Sequence, residues 1–285
     1  MSSRNKPTPS EDTIHEIHED ARTNFVPVRV GSWISFPWSL RLIVLFAAAY
    51  TIIGILHEWA HALTAYALGV PSTLFHLYVQ LDQGDGTLNE RAVIRAAGPL
   101  FCLGVGIVCW FAYRKAKGSR AELLLLYLAW FGIATFFGNL MGTPFVGDFS
   151  SLALAFQLSM PGRYAAGFLG LLLLCSLSFL VGMELRRWAP ADAGRARTMI
   201  GVIAIPAIVG TSLCLLIYLP MPMDFAAARV AESAFWIFGA VGALVGRKQP
   251  TESRRDARLS WTDFAILLAA AGVIRVMVLG ITFAP

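Results

Sequence analysis

His57, Glu58 and His61 stand in the order H-E-x-x-H inside an apolar run from Leu42 to Val70. Residues four apart share one face of a helix, so the two imidazoles can hold one metal ion between them. Nitrogen ligands at about 2.0–2.1 Å suit Zn²⁺. Glu58 is next to His57 in the chain, where its carboxylate can act as general base on a water beside the metal. An ionisable residue at the centre of a membrane helix costs about 2.5–3.5 kcal/mol on insertion scales, so such residues usually serve a function. The competing reading is a satisfied polar cluster that ties helices together.

A third ligand must come from elsewhere in the chain. Gly142, Pro144 and Gly147 break a helix within otherwise apolar sequence, and Asp148 follows directly. Irregular backbone at membrane depth is tolerated only where protein buries it or a cavity needs it. Asp148 is therefore the leading third ligand, against the alternative of a loop aspartate beyond the bilayer. His76 is another candidate, although a single strand histidine is more often polar surface. The segment His15-Glu16-Ile17-His18 has its histidines three apart in a polar tail, and reads as solvated charge. Cys102, Cys109, Cys175 and Cys214 all lie in apolar runs and form no C-x-x-C pair, so they read as small buried side chains.

The elements that must position these residues are membrane helices. The chain has 285 residues, 56% hydrophobic and only 14% charged, against about 25% charged in soluble domains. Apolar runs of spanning length make it an all-α polytopic membrane protein with about seven transmembrane helices, near 41–69, 92–113, 123–141, 165–183, 198–219, 230–245 and 261–283. The net charge of +5 sits mostly between the apolar runs, as in membrane loops, so no nucleic-acid surface is implied. Three regions follow: a polar tail and interfacial segment over 1–38, a metal-bearing membrane core over 39–160, and further transmembrane helices over 161–285. Pro27 and Pro37 argue against a span in 25–40. Phe75, Leu77, Val79 and Leu81 alternate with polar residues, Gly84-Asp85-Gly86 carries turn chemistry, and Thr87-Leu88 can start a return strand. The pattern predicts a short β-hairpin after the first span, with a surface loop as the alternative. Arg275 lies inside the last span and snorkels or pairs.

The arrangement resembles the site-2 protease family of intramembrane zinc metalloproteases. That family places H-E-x-x-H in one span and an aspartate ligand in a later span, near a helix break with Asn, Pro and Gly. His57, Glu58 and His61 match the first motif, and Asn139, Pro144, Gly147 and Asp148 match the second. The hairpin and Ala97-Gly98-Pro99-Leu100 also fall where the family has a β element and a Gly-Pro helix start. Residues 42–160 carry the likeness. Two positions depart from it: Gly147 precedes Asp148 where the family usually has Asp-Gly, and Cys102-Leu103 stand where an Asn commonly follows Gly-Pro. The resemblance implies a substrate-binding role for Asn139.

These readings converge on a zinc-dependent intramembrane endopeptidase acting on a membrane-protein substrate within the lipid bilayer. His57, His61 and Asp148 are its metal ligands and Glu58 its general base. Two rivals are a membrane zinc carrier or sensor, which needs the ligands but not Glu58, and an aspartyl protease using Asp148 and Asp224. Segments 114–120, 184–197 and 247–258 are basic, whereas 70–90, 142–160 and 220–228 lack Lys and Arg. Basic loops mark the cytoplasmic side, so the N-terminus is expected in the cytoplasm and the Asp148 break outside.

Overall fold

The computed structural model describes residues 36–81, 86–189, 194–246 and 259–284. The tail and its H-E-x-H segment, the turn residues Gly84-Asp85, and the basic stretch 247–258 lie outside the described residues. Seven helical segments among the described residues are long and apolar enough to cross a membrane. The chain reads as a multi-pass membrane protein with a small antiparallel sheet.

Helix α1 spans Phe36–Ala67. It begins before the expected start, with Pro37 in its first turn, where a missing N–H breaks no helical bond. After it come β1, Ser72–Leu74, and β2, Val79–Leu81. They pair antiparallel, Ser72 with Leu81 and Leu74 with Val79. The hairpin is present, but its turn is Phe75–Tyr78, closed by Phe75 N–H donating to the Tyr78 carbonyl at 2.9 Å. Thr87-Leu88 is not a return strand. The Thr87 side chain caps α2, Leu88–Lys115, while Glu90 Oε2 accepts from the Thr87 N–H at 2.5 Å. This capping box satisfies two helix-end donors within four residues, which a strand partner could not do as locally.

Helix α3 spans Glu122–Gly142, and a break leads to the short α4, Asp148–Ala155. Then follow α5, Met160–Leu185, a four-residue α6, Arg195–Thr198, and a π-helical turn, Met199–Ala204, that runs into α7, Ile205–Ile217. The expected sixth span is two helices, α8, Met223–Ser233, and α9, Trp236–Val245. The last span is shorter than expected. Helix α10 covers Trp261–Val278, Gly280 turns with φ +81°, and Ile281–Phe283 forms β3. An isoleucine, a threonine and a phenylalanine in succession suit an extended backbone. Strand β3 pairs antiparallel with β1, so the sheet order is β2-β1-β3.

Two glycines let α2 and α3 cross backbone to backbone. A methyl at Gly106 would lie 2.6 Å from the Ile133 nitrogen, and one at Gly132 would lie 2.7 Å from the Cys102 carbonyl. Small residues at a membrane helix crossing permit this approach. Phe46, Tyr127, Trp130, Phe131 and Trp236 fill the core beside it.

Ion pairs mark one end of the bundle. Arg41 Nε meets Asp263 Oδ2 at 3.1 Å, with both side chains buried, and another Arg41 nitrogen donates to the Arg120 carbonyl at 2.7 Å. Arg187 reaches Glu184 at 2.8 Å and the Tyr113 hydroxyl at 3.0 Å. The sheet and the Asp148 break lie toward the other ends of these helices. Arg275 is paired there, through its guanidinium, with the backbone carbonyls of Leu216 and Leu219.

Candidate metal centre

His57 and His61 lie on one face of α1, in the half nearer the sheet. Their Nε2 atoms are 3.1 Å apart. Asp148 Oδ2 is 3.1 Å from His57 Nε2 and 3.5 Å from His61 Nε2. Two nitrogens and one oxygen thus form a near-equilateral triangle. Ligands about 2.05 Å from a tetrahedral ion stand roughly 3.3 Å from one another. The triangle has that size, and the His57-His61-Asp148 group could hold a metal ion.

The outer ring nitrogens favour the same reading. His61 Nδ1 lies 2.6 Å from the Ile94 carbonyl, which can only accept, so the proton is on Nδ1 and the Nε2 lone pair faces the triangle. His57 Nδ1 faces Cys102 Sγ at 3.7 Å, and that sulfur also approaches the Ile53 carbonyl at 3.7 Å. A ligating histidine usually anchors its other nitrogen in this manner. Cys102 is more than a space-filler in an apolar run, because it touches His57.

Helix α2 can come this close because residue 98 has no side chain. A methyl on Gly98 would lie 2.3 Å from His61 Nε2 and 2.8 Å from His57 Cε1. Pro99 sits inside the same helix. It cannot donate to the Arg95 carbonyl four residues back, one residue from the Ile94 carbonyl that meets His61.

Asp148 is presented by the break after α3. Gly147 has φ +94°, a region costly for other residues, and starts α4. The Asp148 N–H donates to Asn139 Oδ1 at 3.1 Å, and Asn139 Nδ2 donates to the Thr135 carbonyl at 3.0 Å. Asn139 therefore holds the Asp148 loop against α3. Arg163 of α5, buried in the bundle, donates to the carbonyls of Thr143 and Pro144 at 3.3 and 2.9 Å and to Ser150 Oγ at 3.4 Å. Its guanidinium closes the irregular loop, satisfying carbonyls that a broken helix leaves without donors. An arginine just after a Gly/Pro break in a membrane chain was the available signal for it.

Glu58 is buried, with 9% of its surface exposed, on the α1 face beside the two histidines. His76 is remote from the triangle in its bonding. Its Nε2 faces the carbonyls of Tyr218 and Pro220, both at 3.0 Å, so it is not among the ligands. Asp224 is exposed in the first turn of α8, and Asp148 is engaged with both histidines, which leaves the aspartyl pair without geometric support. No protein-family model, curated protein or solved structure matches this chain.

Proposed function

We propose that the protein is a zinc-dependent intramembrane endopeptidase of the site-2 protease type. The observation that carries this reading is the His57-His61-Asp148 triangle with Glu58 buried next to it. Two imidazoles and one carboxylate form a donor set suited to catalytic zinc, with a coordination position left open. Zinc held there would polarise a peptide carbonyl and lower the pKa of water to about 7. Glu58 takes a proton from the attacking water and returns it to the leaving amine. Asn139 keeps one N–H beyond its bond to Thr135, and that donor is what remains to it for a substrate backbone. An unwound substrate segment can add to the outer edge of β2, which no strand among the described residues pairs, since β3 already covers the far side of β1.

Purified protein is expected to carry one zinc per chain and to cleave a single-span model substrate. Removing one of three protein ligands should weaken metal binding by a factor of 100 or more. Asp148→Ala should therefore lose zinc and cleavage together, measured by elemental analysis and by gel. Zinc content unchanged in that variant would move the third ligand elsewhere.

We further propose that the end carrying Arg114, Lys115, Lys117 and Arg120 faces the cytoplasm, as does the N-terminus. These four side chains are exposed where α2 joins α3, whereas the described residues between β1 and β2 and between α3 and α4 contain no Lys or Arg. With the four native cysteines replaced, a Cys at Gln157 should react with an impermeant thiol reagent on intact cells. A Cys at Lys117 should react only after lysis. The opposite pattern would reverse this orientation.

A further inference from the structure

Arg95 belongs to the first turns of α2, three residues before Gly98. Residues three apart on a helix share a face, with Cβ atoms about 5–6 Å apart. Gly98 is the position where that face lies against His57 and His61. Helical side chains lean toward the helix N-terminus, so the Arg95 guanidinium stands at the rim of the metal centre, one turn nearer the sheet. Across the rim it meets α4, donating to Ser151 Oγ at 3.0 Å. Ser151 follows Asp148 by three residues, and its hydroxyl is anchored on the Gly147 carbonyl at 3.3 Å. The Arg95–Ser151 bond therefore joins the helix that bears on the two histidines to the helix that carries the aspartate.

That bond does not use the charge. Arg95 is exposed, and the hydroxyl it meets is a neutral acceptor. A guanidinium has five N–H donors in a planar fork that matches a carboxylate. Glu90, the only acidic residue of α2, is bound to Thr87, and Asp148, the only one of α4, is engaged with the histidines. Among the described residues Arg95 forms no ion pair. Arg91, exposed and one turn earlier on the same face, adds a second positive charge. The rim also borders the sheet: Leu81 of β2 packs against the cluster of Ala65, Val70 and Ile94, and Ile94 is the residue before Arg95. A peptide led from the outer edge of β2 to the metal centre passes these guanidinium groups.

We propose that Arg95 is a specificity-determining residue: its guanidinium leaves Ser151 for the carboxylate of an aspartate or glutamate in the bound peptide. At about 3.3 Å per extended residue, one helical turn of offset puts that acidic residue within roughly four positions of the bond at the metal. A paired, charge-assisted bond is about twice as strong as a neutral one, so the exchange favours the peptide. An acidic side chain is costly inside hydrocarbon. A substrate would therefore carry it near a membrane end of its apolar segment, and the rim lies on that side of the metal. The effect on cleavage rests on the endopeptidase reading, whereas the carboxylate subsite does not.

The probe is a set of single-span peptides in which one Glu is walked along the segment, each paired with its Gln counterpart. Binding is read by fluorescence anisotropy on the full-length, zinc-loaded Glu58→Gln protein in micelles, which leaves the peptide uncut. At one position Glu should bind about tenfold or more tighter than Gln, and adding Arg95→Gln should bring that pair within about twofold. Arg95→Glu should invert the choice and favour Lys there, which a merely structural arginine would not do. Equal binding of every pair, or a preference that survives Arg95→Gln, would overturn the proposal. If Arg95→Gln loses its zinc, Ser151→Ala serves instead: without the competing acceptor the Glu preference should rise, and an unchanged preference would overturn the proposal. Where the wild type cleaves, the kcat/KM ratio of the Glu and Gln peptides should follow the same pattern. Cleavage without discrimination would overturn the subsite alone. Discrimination that needs Arg95, with no peptide cleaved, would uphold the subsite and count against the endopeptidase. If Arg95→Gln instead removes stabilisation by phosphatidylglycerol vesicles and leaves the peptide pairs as they were, the charge serves a lipid headgroup and the proposal falls.

Discussion

Gly98→Ala is expected to lose its zinc and, with it, all cleavage. The added methyl would stand 2.3 Å from His61 Nε2, 2.7 Å from His61 Cε1 and 2.8 Å from His57 Cε1. Carbon and nitrogen need about 3.5 Å, so one ring must move by roughly 1 Å or α2 must withdraw from α1. Metal sites tolerate errors of only about 0.2 Å in their ligand distances. His61 has no easy escape, because its Nδ1 is anchored to Ile94 on the same helix as Gly98. Alanine is a better helix former than glycine by about 1 kcal/mol, so α2 itself should form normally. Zinc per chain should fall from one to below about one tenth, with helical content unchanged by circular dichroism. Gly104→Ala is the matched control, since a methyl there meets nothing within 4 Å. Stoichiometric zinc in Gly98→Ala would show that α2 does not press on the ligands as described.

Glu58→Gln is expected to do the reverse, keeping the metal and losing the chemistry. Glu58 lies outside the ligand triangle, so its amide isostere should leave zinc content within error of wild type. A positioned general base contributes about 10²- to 10⁴-fold, and glutamine cannot accept the proton. Cleavage of a single-span substrate should fall by that factor with KM little changed. Equal rates would remove Glu58 from the base role. Retained zinc with no cleavage by the wild type of any substrate would favour the carrier. Set beside Asp148→Ala, which should lose both, the pair separates holding the metal from using it.

Much of this centre was legible in the chain. H-E-x-x-H sets two imidazoles and a carboxylate side by side because a helix brings residues four apart to one face, whatever surrounds it. Asp148 was legible for a negative reason: Gly142, Pro144 and Gly147 are breakers in an apolar stretch, and a broken membrane helix must serve something. The number of spans follows from run lengths alone. The hairpin was half legible. Period-two alternation pointed to strands, but Leu74 and Leu77, both buried, are three apart, and that offset belongs to a turn.

What stayed hidden depends on contact between residues far apart in sequence. Gly98 reads as part of a Gly-Pro helix start until α2 lies against the histidines. Arg163 reads as a boundary charge until its guanidinium closes the loop between α3 and α4. Asn139 carries the Asp148 loop nine residues on, and Cys102 reaches His57 across 45 positions. β3 could not be read as a strand from Ile281–Phe283, because β1, some two hundred residues earlier, supplies its hydrogen bonds. By itself the sequence determined the membrane class, the paired histidines with Glu58 beside them, and the break that presents Asp148, since each rests on local periodicity or local backbone chemistry. Only the tertiary structure decided which ring nitrogens face Asp148 and what holds His57, His61 and Asp148 in place. Close packing of helices sets those distances, and no spacing along one chain encodes them.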